Sequence, residues 1–174
     1  AARIGVRRVT VALLRDKRLL AVLFVAALVR LVLPELRPIH HDEAVNWFKA
    51  GRILREGHFT YDPANYHGPI AHYVHAWARL LGRLIRFDTL TLLRLPAMLA
   101  GVAMIPVAFR LKRPDLAVAV ALSPTLVVFS RDAIHEIWLA LFSMLAILAL
   151  LSNHRHRLLG LGAAIGARLV TKET

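Results

Sequence analysis

Apolar residues dominate long stretches of this chain, and the breaks between them are short and charged. Five runs stand out: Leu19 to Leu36, Leu90 to Phe109, Leu116 to Phe129, Ile137 to Leu151 and Leu158 to Val170. A helix needs about 20 mostly apolar residues to cross a hydrocarbon core some 30 Å thick. The first two runs meet that length, the third borrows residues at both ends, and the last two fall a little short. The first is interrupted by Arg30 and stopped by Pro34. The last carries Gly160, Gly162 and Gly166, small residues that predict a close helix contact. The pattern therefore predicts an all-α polytopic membrane protein of about five transmembrane helices.

A sixth segment, Pro69 to Arg86, reads PIAHYVHAWARLLGRLIR and is long enough to cross. It holds His72, His75, Arg79, Arg83 and Arg86. A charge at the bilayer centre costs about 2.5–3.5 kcal/mol on an insertion scale. The segment is expected to lie at the interface, anchored by its aromatic residues.

Composition supports the membrane reading: 57% of residues are hydrophobic and the mean hydropathy is +0.55, against roughly 45–50% apolar content in soluble domains. Absence of cysteine excludes disulfides, thiolate metal sites and a cysteine nucleophile. The net charge of +12 sits in short clusters between apolar runs, where it orients helices rather than binding nucleic acid. Residues 1–18 carry Arg3, Arg7, Arg8, Arg15, Lys17 and Arg18 against Asp16 alone, which predicts a cytoplasmic N-terminus. A signal peptide is the alternative for this end, but no small-residue cleavage site follows the first run. With Pro69 to Arg86 outside, the clusters RLKRPD (Arg110 to Asp115) and NHRHR (Asn153 to Arg157) both fall in the cytoplasm. The first outer loop is then 37–88, within a transmembrane domain of residues 19–174.

That topology brings three polar groups to one membrane face: HHDE (His40 to Glu43), SRDAIHE (Ser130 to Glu136) and TKE (Thr171 to Glu173). Each has a plain reading and a chemical one. Asp42 and Glu43 are either an N-cap and a dipole partner for a following helix, or carboxylates that deprotonate a hydroxyl or hold a cation. His41, Asp42 and Glu136 offer mixed nitrogen and oxygen ligands for a divalent cation such as Mg, Mn or Zn, although adjacent histidines project apart. YDPANYHGP (Tyr61 to Pro69) is a turn-rich connector, or a pocket wall built from Tyr61, Tyr66 and His67. Asp132 and Glu136 are four apart and would share one face of a helical turn. Arg94 either snorkels to the headgroups or holds a phosphate. No GxxxxGK[ST] loop and no HExxH helix occurs, so a nucleotide-sugar cradle is not expected.

The segments HDEAVNWF, YDPANYHGP, SPTLVVFSRDAIHEI and TKE, with RLPA at the entry of the second long run, resemble the GT-C superfamily of polyprenyl-phosphate-sugar-dependent glycosyltransferases. The likeness is nearest to the archaeal and bacterial flippase-activity-associated membrane family, itself similar to protein mannosyltransferases and aminoarabinose transferases. The resemblance implies an inverting sugar transferase acting at the outer face of a cell membrane. Its donor would be a polyprenyl- or dolichyl-phosphate sugar and its acceptor a protein or lipid-glycan hydroxyl. It further implies Asp42 as the catalytic carboxylate with Glu43 as helper, and Lys172 and Arg94 on the donor phosphate. Tyr61, Tyr66, His67 and Glu136 would contact substrate. Relatives continue for more helices, so the chain is expected to be the N-terminal part of a larger enzyme. A non-catalytic subunit that binds the lipid-linked sugar is the alternative.

Overall fold

A computed structural model describes residues 16–65, 67–87 and 89–172. These form eight α-helices and no strand. Helix α1 (Lys17–Leu31) starts where the Asp16 carboxylate accepts from the Arg18 and Leu19 amides. It buries only Leu19, Ala26 and Arg30 and leaves Phe24 and Leu28 exposed, as a lipid-facing helix would. A 3₁₀ turn over Pro34–Leu36 follows. Helices α2 (His41–Glu56) and α3 (Pro69–Leu84) fill the predicted outer loop. Helix α4 (Leu90–Arg110) is the axis of the fold, packed against α1 and α3 and against three later helices: α5 (Pro114–Leu122), α6 (Pro124–Arg131) and α7 (Glu136–Leu151). Helix α8 (Arg157–Thr171) pairs with α7 and touches α3.

Small side chains explain why α4 sits at the centre. Ala97, Ala100 and Ala108 are buried together with Met104 and Ile105, and they meet Ala117, Val120, Ile137 and Leu141 from the surrounding helices. Gly101 marks the closest approach: a Cβ there would fall 2.6 Å from the Ser130 Cβ and 2.8 Å from the Arg30 Nε.

Among the described residues two helices, Lys17–Leu36 (α1 with its 3₁₀ extension) and α4, are long and apolar enough to cross a membrane, and a third crossing results if α5 and α6 count as one. The expected single run Leu116 to Phe129 is in fact this pair, bent by 60°. The cause is Pro124. It has no N–H for the Val120 carbonyl four residues earlier, and the buried Arg30 supplies the missing donor at 2.8 Å, with a second bond of 3.0 Å to the Ala121 carbonyl. In return Arg131 donates to the Val29 and Leu33 carbonyls at the end of α1. The arginine that interrupts the first run therefore caps another helix. The small face expected on α8 is shifted: Gly160 lies near Ala149, while Gly162 and Gly166 face open space.

Helix α3 is turned inside out relative to a soluble amphipathic helix. His72, His75 and Arg79 are buried, while Trp77, Leu81 and Leu84 are exposed. The Arg79 guanidinium lies 3.7 Å from the Trp47 ring centroid and donates to the Trp47 carbonyl. An apolar outer stripe with an aromatic residue suits the expected interfacial placement.

Candidate functional site

The motif His40 to Glu43 opens α2, but the cap differs from the expectation. His40, not Asp42, is the N-cap, and its Nδ1 accepts from the Asp42 amide at 3.2 Å. Glu43, in the third helical position, reaches back to accept from the His40 amide at 3.0 Å, completing a capping box. Asp42 is thereby released from capping.

The two adjacent carboxylates have opposite surroundings. Glu43 is fully buried against the fully buried Arg94, with bonds of 2.8 Å from Nε and 2.7 Å from Nη2. Its remaining acceptor sites take the amides of His40 and Ala133. Burial alone would raise the Glu43 pKa, but bonds from Arg94, His40 and Ala133 hold the carboxyl below its ordinary value. Arg94 uses its other N–H groups on the carbonyls of Pro34, Arg37 and Pro38. With five donors all engaged, the guanidinium has none left for a phosphate. Glu43 and Arg94 instead tie α2, α4, the turn after α1 and the α6–α7 loop into one joint.

Asp42 points the other way, with its side chain 57% exposed. It borders a cleft of about 300 Å³ also lined by His41, Val45, Asn46, Asp62, Ala64, His67 and His135. Residues from HHDE, YDPANYHGP and SRDAIHE thus meet around one space. Asn46 holds the floor in place by donating to the Ala133 carbonyl at 2.6 Å. The His67 ring stacks on His135 with centroids 4.1 Å apart, and His135 meets His72 edge to face at 5.1 Å. Burial pushes His135 down to about 2 and His72 down to about 3, with neighbouring cations and histidines adding to it. His75 is pushed down to about 4 by burial, and its Nδ1 bonds the Leu93 carbonyl at 2.9 Å. These rings are neutral at ordinary pH.

The end of α8 closes one side. The main chains of His67 and Lys172 form an antiparallel bridge, and the Gly68 amide donates to the Thr171 carbonyl at 3.0 Å. Gly68 is required there, since a Cβ would lie 1.8 Å from the Val170 oxygen. The Lys172 ammonium sits 3.2 Å from Glu136. His67 therefore belongs to two structures at once: its ring lines the Asp42 cleft and its backbone holds the lysine-bearing end of α8.

Several expected groupings do not form. Asp132 and Glu136 do not share a helical face, because α6 ends at Arg131 and α7 begins at Glu136. Asp132 pairs with Arg37 at 3.0 Å, and burial holds its carboxyl above the usual range. Glu136 does not line the cleft with His41 and Asp42. Among the described residues no three His, Asp or Glu side chains are grouped as metal ligands would be, so the expected set of His41, Asp42 and Glu136 is not assembled. Tyr61 lines a neighbouring cleft. Tyr66, Glu173 and the basic residues before Asp16 lie outside the described residues. Sequence reasoning assigned no role to Asp62, Asn46 or His135. Asp62 was hidden in a turn motif, and no spacing rule points to the other two.

A scan against models of known families gave no match, and neither comparison with curated proteins nor comparison with solved structures gave a significant one.

Proposed function

We propose that this chain forms the acceptor-activating part of a membrane glycosyltransferase that takes a sugar from a polyprenyl-phosphate carrier. One observation carries the reading: polar motifs from two widely separated parts of a largely apolar sequence line one cleft around an exposed carboxylate, and Lys172 is pinned to that cleft's wall. The resemblance noted from sequence supplies the donor class.

In the reaction, Asp42 accepts the proton of an acceptor hydroxyl as its oxygen attacks the anomeric carbon. The new glycosidic bond forms while the bond from that carbon to the phosphate oxygen breaks, with the electron pair leaving on the phosphate. Attack from the face opposite the leaving group inverts the anomeric centre. The Lys172 ammonium neutralises the charge developing on the phosphate, exchanging its present partner Glu136 for it. Glu43 and Arg94 act as positioning residues: their joint fixes the first turn of α2 and hence the direction of Asp42. His67 and the neutral His135 form the wall against which substrate rests.

The placement in the membrane belongs to the same proposal. The N-terminus is cytoplasmic, about five helices or broken helices cross, and the cleft opens at the outer face, where the carrier's apolar tail stays among the helices. The stripe of Trp77, Leu81 and Leu84 supports this by holding α3 in the interface. With no native cysteine, single cysteines at Ala44 and Lys112 test the topology in intact cells. An impermeant reagent labels position 44 and spares 112; labelling of 112 puts Pro69 to Arg86 across the bilayer and ends the proposal.

Chemistry is tested with Asp42→Asn in the full chain, assayed with a panel of polyprenyl-phosphate hexoses and pentoses. The expected result is at least a hundredfold loss of transfer with carrier binding retained, in keeping with about 10²–10⁴ for a lost general base. Unchanged transfer refutes the role of Asp42. Carrier binding without transfer in the unaltered chain favours a non-catalytic carrier-binding subunit.

A further inference from the structure

The neighbouring cleft, about 490 Å³ in volume, shares Val45 and Asp62 with the Asp42 cleft. It is built from the second half of α2 and the segment leading to Pro63. Its lining joins two kinds of side chain that seldom serve one another. Phe48 and Tyr61 are 61% and 46% exposed and offer apolar ring surface. Two pairs of opposite charge line the same cleft: Arg52 donates to both carboxylate oxygens of Glu56 at 3.0 Å, and the Lys49 ammonium lies 3.9 Å from Asp62.

Lys49 is the unusual member. Its Nζ is buried and has no hydrogen-bond partner among the described residues, and 3.9 Å is too long for a hydrogen bond to Asp62. A buried donor left unmade is costly. Burial also lowers the Lys49 pKa, while Asp62 opposes that. The Lys49 side chain borders the cleft, and a turn of its flexible end toward that space would let an oxygen atom there complete the shell of this ammonium.

We infer that this second cleft holds a sugar ring, so that the acceptor in the proposed transfer is a glycan rather than a protein side chain. A pyranose has an apolar face of C–H groups and a rim of hydroxyls that both donate and accept. Exposed aromatic rings meet the first, and donors and acceptors set side by side meet the second. Two alternatives match less well. An acyl chain would strand four charged groups, and an anion would face two carboxylates. Asp62 lies on the border of both clefts, so a ring seated beside Phe48 is adjacent to the space in which Asp42 meets its hydroxyl. The inference rests on the transferase reading for the word acceptor; the binding site itself does not.

The test is saturation-transfer NMR on the full chain in lipid nanodiscs free of sugar detergents, with mannobiose and cellobiose as neutral probes and glucuronic acid as the charged one. Expected are saturation of ring protons by the neutral probes, at least a tenfold weaker Kd in Phe48→Ala, and a fivefold or greater loss in Lys49→Met. Both positions are compared with Trp77→Ala, an exposed aromatic outside the cleft that leaves binding unchanged. No saturation by the neutral glycans, equal binding by all three variants, or a strong preference for glucuronic acid overturns the inference. If Phe48-dependent glycan binding appears but the chain transfers no sugar, the transferase reading alone falls. If transfer occurs with no dependence on Phe48, the glycan cleft alone falls.

Discussion

Replacing Glu43 by Gln removes the charge from the centre of the joint while keeping its shape, and the structure sets the size of the effect. Glu43 accepts four hydrogen bonds, two from Arg94 and one each from the His40 and Ala133 amides. Glutamine offers one oxygen and turns an NH₂ group toward two donors. Arg94, with no exposure, is left as a buried cation without a counter-charge. Breaking one side of a buried ion pair costs about 3–5 kcal/mol. For a chain of this size a change of 1 kcal/mol moves the midpoint by about 2–4 °C, so thermal unfolding in detergent should fall by roughly 6–20 °C. Asp42→Asn, at a side chain 57% exposed, is the internal control and should stay within about 0.5 kcal/mol of the unaltered chain.

The contrast separates positioning from chemistry. A variant that loses stability, and whose folded fraction transfers more slowly but not as slowly as Asp42→Asn, is what the geometry predicts for Glu43 as the residue that positions Asp42. A Glu43→Gln protein that melts with the unaltered chain yet is inactive would refute this account, because the carboxylate would then have to reach substrate. Arg94→Lys is expected to resemble Glu43→Gln in stability, since an ammonium has three donors for the five acceptor contacts that Arg94 makes.

Three more outcomes follow from particular contacts. Acid should destabilise the fold: His72, His75 and His135 are held at about 3, 4 and 2 against an ordinary 6.5, so their share of stability is complete above pH 6.5 and is lost as pH falls below it. From pH 6.5 to pH 5 the loss is up to about 2 kcal/mol for each ring, at 1.36 kcal/mol per unit; melting at pH 7.5 and pH 5 measures it, and equal midpoints would contradict it. Gly68→Ala, with its Cβ 1.8 Å from the Val170 oxygen, should detach the end of α8 and make Lys172 react faster with an amine-modifying reagent; an unchanged rate would show that the docking is dispensable. Arg30→Met should leave the Val120 and Ala121 carbonyls unpaired, at about 1–3 kcal/mol for each buried group, visible as faster hydrogen exchange in α5 if the capping is real.

The sequence carried the helices well where period and length decide them. Leu90 to Phe109 became α4 almost residue for residue, and the polar loop resolved into the two expected helices. It misled where a single tertiary contact overrides local pattern. Pro124 lies inside an apolar run and reads as tolerable in a membrane helix; the 60° bend is stable because Arg30, more than ninety residues earlier in the chain, satisfies the carbonyl that the proline orphans. Nothing local to either segment shows that partnership.

The adjacent acids Asp42 and Glu43 were legible as a pair and illegible as individuals for a related physical cause. A helix turns by about 100° per residue, so neighbours at the second and third helical positions must face different surroundings. Which of them faces inward depends on where the helix starts, and that was set by His40 acting as N-cap in place of Asp42. A start two residues later would have changed the roles. With His40 as cap, Glu43 falls beneath Arg94 and Asp42 falls beside His67 and His135. Moving the cap is therefore a direct test of how the cleft is aimed: His40→Ala removes the Nδ1 acceptor of the Asp42 amide but leaves the Glu43 half of the capping box. The first turn should loosen at a cost of roughly 0.5–2 kcal/mol, and transfer should fall more than stability does, because the carboxylate that must meet the hydroxyl sits on that turn. A fall in stability with undiminished transfer would mean that the direction of Asp42 is fixed from the Glu43–Arg94 joint alone.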